Sequence, residues 1–507
     1  MTKTVLIGDG NITIDDLVHI ARFNWKIELT NNAITKVKQA RETVEKFLDY
    51  NKIVYGITTG VGDNSKIKIP KESSNLLQKN LIRSHACGVG DPLNEELVRA
   101  VMVMMVKNLS LGYSGVHVAT IQRLIDLLNN KITPKVPKEG SLGYLSYQAH
   151  IGLVLIGEGE AYYKGNIYDS KEVLDKLHIQ PLELQEKEGL SLINGTVDMT
   201  AMGAVAVYDA INLMKISDVA SMLSFESLRG TKLAFDYRLS KVKKYSGMSS
   251  TLKNINLLLE NSEIAEKSRE LRTQDALSMR AIPQVHGASK DTLNYVKKGI
   301  EIEMNSATDN PLIFSEENDS ISSANCHGES VSMGLDFLAI ALSELSNISD
   351  RRVFRLVSSQ YSDLPAFLTE NSGINSGYMI PQYVSAYLAA DNKHLAQPAS
   401  IDSIPTAANQ EDHHSMGTSS ALKLIKSIAN TRKVLAIEIM CGCQGLDYLK
   451  PLTTSWSLTL VYDLVREHVP KLDDDRILYK EINLIESMLV KNEILEYLEK
   501  EIGELSI

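Results

Sequence analysis

The 507-residue sequence lacks the features of a secreted, membrane-spanning or nucleic-acid-binding protein. It has four cysteines, no run of 18 consecutive apolar residues, and no apolar segment before Asp9 in the opening MTKTVLIGDGN. A disulfide framework, a transmembrane helix and a signal peptide are therefore not expected. The formal net charge of -10 gives no reason to expect binding to nucleic acid or to an anionic membrane. We expect a cytoplasmic protein with reduced thiols.

Common metal and phosphate motifs are also missing. Cys441 and Cys443 form a Cys-x-Cys pair without a second pair at zinc spacing. His413 and His414 are adjacent, so they would point in different directions on a helix. The glycine-rich segment YGITTGVG at 55–62 has neither a Gly-Lys-Ser/Thr ending nor the spacing of a dinucleotide fingerprint. We therefore expect no metal and no cofactor.

Helical periodicity dominates the sequence. A short strand at 5–7 and a helix capped by Thr13 open the chain. Further on, apolar residues recur at steps of four and three at Val331, Leu335, Leu338, Leu342 and Leu345, and the run 485–502 has the same character. The pattern predicts a mainly α fold, a long-helix bundle with a loop-rich N-terminal module. We place that module at 1–205, a central bundle at 206–400 and a C-terminal helical region at 401–507.

Several loop motifs carry a family resemblance. The segments are YGITTGVG (55–62), SHACGVG (84–90), GSLGYLSYQAH (140–150), GLSLINGT (189–196) and TAANQEDHHS (406–415). Together they resemble the signature segments of the histidine and aromatic amino-acid ammonia-lyases. The resemblance implies a small-molecule lyase and a homotetramer whose active sites combine loops from several subunits.

The segment 140–150 departs from the family pattern. Family members usually read GSVGASGDLAPLAH, and their Ala-Ser-Gly triad cyclises into a methylidene-imidazolone that activates the substrate for loss of ammonia. This sequence has five residues between GSLG and AH where the pattern has eight. The sequence therefore predicts a chain that cannot form this electrophile.

Three residues match family positions that act on the substrate. Tyr55 matches the general base, His85 a residue of the ring pocket, and Glu411 a position that is glutamate in histidine-specific members. Without the resemblance, the segment around Tyr55 would be interpreted as a mobile turn, His85 as an interior histidine and Glu411 as a surface charge. A carboxylate can accept a hydrogen bond from an imidazole N–H but would stay unpaired against a benzene ring. We expect Tyr55, Glu411 and His85 to be catalytic.

Other matches concern substrate binding. Arg280 resembles the arginine that clamps the substrate carboxylate, a task that suits its planar donors, although it could also be a structural ion pair. Asn194 and Gln274 match polar site positions. Two positions differ from the family: Leu277 replaces its usual tyrosine and Cys326 its usual phenylalanine. The pocket beside the reacting carbon is therefore expected to be rebuilt.

The missing electrophile suggests a substrate with a better leaving group. A trimethylammonium group departs as neutral trimethylamine, so the sequence predicts elimination of trimethylamine from a betaine, ergothioneine, to give thiourocanate. Tyrosine faces attract quaternary ammonium groups. A lining by Tyr144, Tyr147, Tyr378 and Tyr387 is the accompanying hypothesis, with packing roles as the alternative.

Two other functions remain open at this level. One is a histidine ammonia-lyase-like enzyme that acts on another imidazole amino acid or betaine. The other is a catalytically inactive homologue that binds imidazole ligands. The joint presence of Tyr55, Arg280 and Glu411 favours an active enzyme, because an inactive site has no chemical need for them.

Overall fold

The computed structural model describes residues 3–507, whose contacts divide them into two compact units. Each unit is assembled from three stretches of chain. Unit 1 comprises residues 3–208, Lys297–Leu335 and Pro398–Leu422. Unit 2 comprises Asp209–Val296, Asp336–Gln397 and Lys423–Ile507. The sequence-based boundaries at residues 205 and 400 divide the chain into consecutive regions, and they stay a prediction.

The fold is mainly helical, as predicted. The helices in the first half of the chain are α1 (Ile14–Phe23), α2 (Asn31–Asp49), α3 (Ser74–His85), α4 (Glu95–Ser110), α5 (Val118–Asn129), α6 (Ser146–Leu155), α7 (Ser170–Lys176), α8 (Glu188–Ile193), α9 (Val197–Ser227), α10 (Arg238–Val242) and α11 (Ser246–Leu258). Those in the second half are α12 (Glu263–Lys267), α13 (Leu277–Arg280), α14 (Ile282–Met304), α15 (Glu329–Val357), α16 (Ser359–Ser362), α17 (Met379–Leu395), α18 (Gly417–Asp447), α19 (Trp456–Arg466), α20 (Tyr479–Val490) and α21 (Glu493–Ile502).

Short strands occur in unit 1. They are β1 (Thr4–Ile7), β2 (Lys26–Leu29), β3 (Val89–Pro92), β4 (Thr133–Pro134), β5 (Pro137–Glu139), β6 (Glu160–Tyr163), β7 (Asn166–Asp169), β8 (Leu312–Phe314) and β9 (Asp319–Ile321). β1 and β2 are parallel because α1 connects them, and the pairs β3–β5, β4–β6, β6–β7 and β8–β9 are antiparallel. These small sheets lie among the loops of unit 1.

Local sequence signals place several elements correctly. Thr13 caps α1 through a reciprocal pair of hydrogen bonds with Asp16. The five apolar residues of the predicted stripe all lie in α15 and are buried. The predicted run 485–502, in contrast, is two helices. Asn492 between α20 and α21 adopts a left-handed φ of 58°, which ends the first helix.

Two helical stretches are long and apolar enough to cross a bilayer, Glu188–Ser227 and Glu329–Val357. Their most apolar windows are 100% and 72% buried within the protein. Burial of this extent is typical of core helices in a folded domain, which can be as long and as apolar as membrane-spanning helices.

A small core cluster positions the loop that follows α2. Phe47 and Val44 of α2 pack with Ile313 of β8 and with Val54 and Ile57 of the loop itself. Burial of such side chains contributes about 1.5–3 kcal/mol each. The loop is thereby fixed at both sides of Tyr55.

Candidate active site

Unit 1 contains a cavity of about 780 Å³ that is lined mainly by loops. The loop after α2, the loop after β9 and the loop before α18 form much of its wall, together with the ends of α3 and α8 and the start of α6. Five residues predicted to form the site line this cavity: Tyr55, His85, Tyr144, Asn194 and Glu411. Cys326 lines it as well.

The Tyr55 hydroxyl is held by its own loop. It accepts a hydrogen bond from the Gly62 backbone N–H at 2.8 Å, and the φ of 58° at Gly62 suits glycine. Burial raises the pKa of Tyr55, the Gly62 N–H lowers it, and the negative charge of Glu411 raises it again. The net direction is upward. Tyr55 is therefore a neutral phenol near pH 7 and must lose its proton before it can act as a base.

Glu411 is presented by a strained loop. The Thr406 N–H donates to the Glu411 carbonyl at 2.8 Å. Between them, Ala407, Ala408 and Asn409 all have left-handed backbone conformations, with φ of 48°, 55° and 64°. Two consecutive alanines in this region cost about 1–3 kcal/mol each and persist where the surrounding structure enforces them, which is typical of functional sites.

Tyr144 is the hydrogen-bond partner of Glu411. Its hydroxyl donates to Glu411 Oε2 at 3.2 Å. Burial raises the pKa of Tyr144, and the Glu411 carboxylate raises it further, so the phenol stays protonated and remains the donor. A ligand that donates a ring N–H to Glu411 must compete with this hydroxyl.

The shortened segment reaches α6 through a strained turn. Leu145 has φ 80° and ψ -60°, and the Ser146 N–H donates to the Tyr144 carbonyl at 3.1 Å, which is the geometry of a three-residue γ-turn. The tripeptide Ala-Ser-Gly occurs nowhere in the 507 residues. Tyr144 and Leu145, which occupy the segment, cannot cyclise to a methylidene-imidazolone. The residues of this segment therefore do not fit this prosthetic group.

Asn194 is oriented by a buried ion pair that the sequence did not predict. Its Nδ2 donates to Asp309 Oδ1 at 3.2 Å and to the Asn310 carbonyl at 2.8 Å. Lys187 Nζ donates to Asp309 Oδ2 and to Ser191 Oγ, both at 2.8 Å. The Lys187 and Asp309 side chains are fully buried, and burial lowers the pKa of Lys187. The pair fixes the amide that faces the cavity.

His85 offers one ring nitrogen to a ligand rather than two. Its Nδ1 lies 2.8 Å from the Leu81 carbonyl, one turn earlier in α3. A carbonyl can only accept, so Nδ1 carries the proton and Nε2 is the acceptor in the neutral ring.

Cys326 does not supply a nucleophile. Burial raises the pKa of its thiol to about 11, and the nearby Asp309 carboxylate contributes in the same direction. The thiolate is the reactive form of cysteine. Cys326 is therefore a small, neutral wall residue at the position where the family usually has a phenylalanine.

Arg280 and Gln274 lie in unit 2. They line a cavity of about 510 Å³ there, together with the exposed Leu277. Arg280 Nε donates to the Asp275 carbonyl at 2.9 Å, and the Asp275 side chain accepts from Arg272. The carboxylate clamp at Arg280 and the polar contact at Gln274 stay predictions.

The four tyrosines proposed as an aromatic lining have different surroundings. Among the described residues, Tyr144 lines the unit 1 cavity, whereas Tyr147 is fully buried and donates its hydroxyl to the Lys138 carbonyl. Tyr378 is fully buried in unit 2, and Tyr387 is exposed on α17. The side chains of Tyr147 and Tyr378 are packed on all sides in this structure, and the aromatic lining by the four tyrosines stays a prediction.

A mainly helical chain with a tyrosine and a glutamate facing one cavity is consistent with the aromatic amino acid lyases. Residues 12–467 match the model of the aromatic amino acid lyase family, and the chain belongs to this family. It is 48% identical to a histidine ammonia-lyase of Alkaliphilus oremlandii (strain OhILAs), over 98% of this chain and 99% of the relative. The crystal structure of a histidine ammonia-lyase from Trypanosoma cruzi has a TM-score of 0.92 and 36% identity, and covers 99% of this chain and 98% of its own. The family and these relatives make the chain a carbon-nitrogen lyase.

The comparisons overturn the expected release of trimethylamine from ergothioneine. The ergothionase of Treponema denticola has a similar structure, with a TM-score of 0.92 over 97% of this chain and 100% of that chain, but only 27% identity. Histidine ammonia-lyases are 43–48% identical over nearly the whole chain. This similarity points to histidine deamination instead.

Proposed function

We propose that the chain is a carbon-nitrogen lyase that acts on histidine or a closely related imidazole amino acid. The observation that carries this proposal is that the Tyr55 hydroxyl and the Glu411 carboxylate line the same cavity. A half-buried carboxylate in the cavity wall favours a ring that can donate an N–H, since a plain apolar ring would leave it unpaired. The 48% identity to a histidine ammonia-lyase supports the same ring.

The proposed reaction is a 1,2-elimination. Deprotonated Tyr55 takes a proton from the β-carbon, and the electron pair of that C–H bond forms the Cα–Cβ double bond. The Cα–N bond breaks, and the α-ammonium group leaves as neutral ammonia. Glu411 and His85 Nε2 hold the imidazole ring so that charge developing at the β-carbon spreads into it. We further propose a cytoplasmic homotetramer, as the family resemblance implies.

The proposal is tested by incubating the purified protein with histidine. The conjugated acrylate product absorbs in the ultraviolet, so its appearance together with free ammonia supports the elimination. Absence of product at every pH between 6 and 10 would contradict it.

A second function is favoured by one observation, the lack of Ala-Ser-Gly anywhere in the chain. It is an imidazole-binding protein without turnover. Titration calorimetry with histidine distinguishes the two, because this function requires binding at the Glu411 cavity without any product. The variant Glu411→Gln must then abolish the binding heat, whereas the exposed neighbour Asp412→Asn must not.

The pH dependence of turnover gives a sharper prediction. Tyr55 is active when deprotonated, so activity is lost as the pH falls below its raised pKa, by about tenfold per pH unit. The negative charge of Glu411 is one cause of the raised pKa. Replacing Glu411 with glutamine is therefore expected to move the rising limb of kcat/KM to lower pH, even though KM increases. Initial rates from pH 6 to 10 measure this shift.

The matched control for this prediction is Asp412→Asn, which removes a carboxylate from the next residue on an exposed position. Its pH profile should coincide with that of the wild type. An unchanged or upward-shifted limb in Glu411→Gln would show that the carboxylate does not act on Tyr55.

A further inference from the structure

Two histidines and a glutamate from distant segments of unit 1 come together outside the Tyr55 cavity. His327 follows the cavity loop after β9, Glu329 begins α15, and His413 follows Glu411. His327 Nε2 lies 3.2 Å from His413 Nδ1. The possible ligand atoms of the three residues all lie within 4.8 Å of one another. The adjacency of His413 and His414 concealed this arrangement in the sequence, because the partner of His413 is 86 residues away.

A second observation concerns the glutamate. Glu329 Oε2 is buried and has no hydrogen-bond partner among the described residues. An unpaired buried carboxylate oxygen costs about 1–3 kcal/mol or more. One N–H joins the two imidazoles, and no donor of the described residues, from these rings or elsewhere, reaches Glu329 Oε2. A cation placed among the three groups would satisfy all of them.

We propose that His327, Glu329 and His413 bind a divalent first-row cation, with zinc as the ion of choice. Two imidazoles and one carboxylate form a ligand set that zinc takes in proteins, with a fourth position open to water. Ligand atoms at 2.0–2.1 Å from a tetrahedral zinc are about 3.3 Å apart. The His327–His413 distance already meets this value, and the Glu329 carboxylate would have to approach from a separation of at most 4.8 Å.

The cation would act as a clamp on the neighbouring cavity. His327 is the residue after Cys326, and His413 lies two residues after Glu411. One bound ion therefore ties together the two loops that carry these wall residues. The backbone at Ala407 and Ala408 is strained, and such strain persists only where contacts with other segments enforce it. A cation that links the two loops would supply one such contact. This role is independent of which amino acid the cavity binds.

Titration of the chelator-treated, full-length protein with zinc chloride tests the proposal. We expect one zinc ion per chain by calorimetry and by elemental analysis, and a raised thermal midpoint in its presence. Glu329→Gln and His413→Gln should each weaken zinc binding at least about tenfold, because loss of even an outer partner of a ligand costs 10- to 100-fold. His394→Gln, which removes an exposed histidine of α17, is the matched control and should bind zinc as the wild type does.

Specific results would overturn this assignment. Unchanged zinc affinity in Glu329→Gln and His413→Gln, with binding lost instead on modification of the exposed Cys87, would place the ion elsewhere. Equal stabilisation by magnesium would exclude imidazole ligands, since magnesium prefers oxygen. Glu329→Gln keeps the side-chain volume, so it decides the question if a histidine variant fails to fold.

Discussion

Replacing Tyr55 with phenylalanine is expected to lower kcat for histidine by about 10²- to 10⁴-fold, the range that a positioned general base contributes. The phenyl ring keeps the shape of the cavity wall and removes only the oxygen that accepts from Gly62. Binding of histidine should change little, because the lost interaction belongs to the transition state rather than to the bound substrate. Initial rates and calorimetry separate the two effects.

The control for this prediction is Tyr50→Phe. Tyr50 follows α2 only five residues earlier and is 79% exposed, so it removes a phenol from the same segment without touching the cavity. Its kinetics should match those of the wild type. If Tyr55→Phe keeps kcat within a factor of about ten at all pH values, another group is the base.

Replacing Lys187 with methionine is expected to destabilise unit 1 by about 3–5 kcal/mol. The substitution leaves the fully buried Asp309 carboxylate without its cation, while the hydrogen bonds from Asn194 Nδ2 and the Asn310 N–H remain. The urea midpoint should fall, and hydrogen exchange in peptides that cover α8 should accelerate. The double variant Lys187→Met with Asp309→Leu should recover much of the loss, since a buried apolar pair carries no unpaired charge.

Lys52 provides a control with the same chemistry at the surface. It pairs with Asp319 at 2.7 Å, but the two side chains are 39% and 57% exposed. Exposed pairs contribute about 0–1 kcal/mol. Lys52→Met should therefore stay within about 1 kcal/mol of the wild type. Similar losses in the two single variants would show that burial does not govern the contribution of Lys187.

Local patterns in the sequence predicted what depends on near neighbours. The Thr13 cap and the apolar stripe of α15 follow from residues that lie three or four positions apart, and the structure contains both. The family motifs predicted that Tyr55 and Glu411 would share one cavity. In these cases, the information lies in short segments.

The contacts that the sequence did not predict join residues far apart in the chain. Lys187 and Asp309 are 122 positions apart, and Tyr144 and Glu411 are 267 apart. No periodicity links such residues, because their approach is decided by the packing of several helices. The burial of Tyr147 and Tyr378 is likewise decided by helix packing. The sequence does not distinguish an aromatic side chain in a core from one at a ligand site.

The prediction of ergothioneine as the substrate is wrong for a chemical reason. A missing electrophile requires a different account of how the amine leaves, but it does not identify the substrate. Glu411 and His85 line the cavity, and the ring recognition that we propose for them bears more directly on the substrate. Both positions are compatible with the histidine ammonia-lyases to which the whole chain is similar.

The turn at Leu145 links the length of the segment 140–150 to the start of α6. A backbone with φ of 80° at a leucine, directly before the first residue of α6, is strained. Added residues would let it relax, whereas one residue fewer would have to be drawn from the helix. The first turn of α6 would then unwind, and the hydrogen bond from the Ala149 N–H to the Leu145 carbonyl would be lost. The strain at Leu145 is therefore coupled to the position at which α6 begins, Ser146.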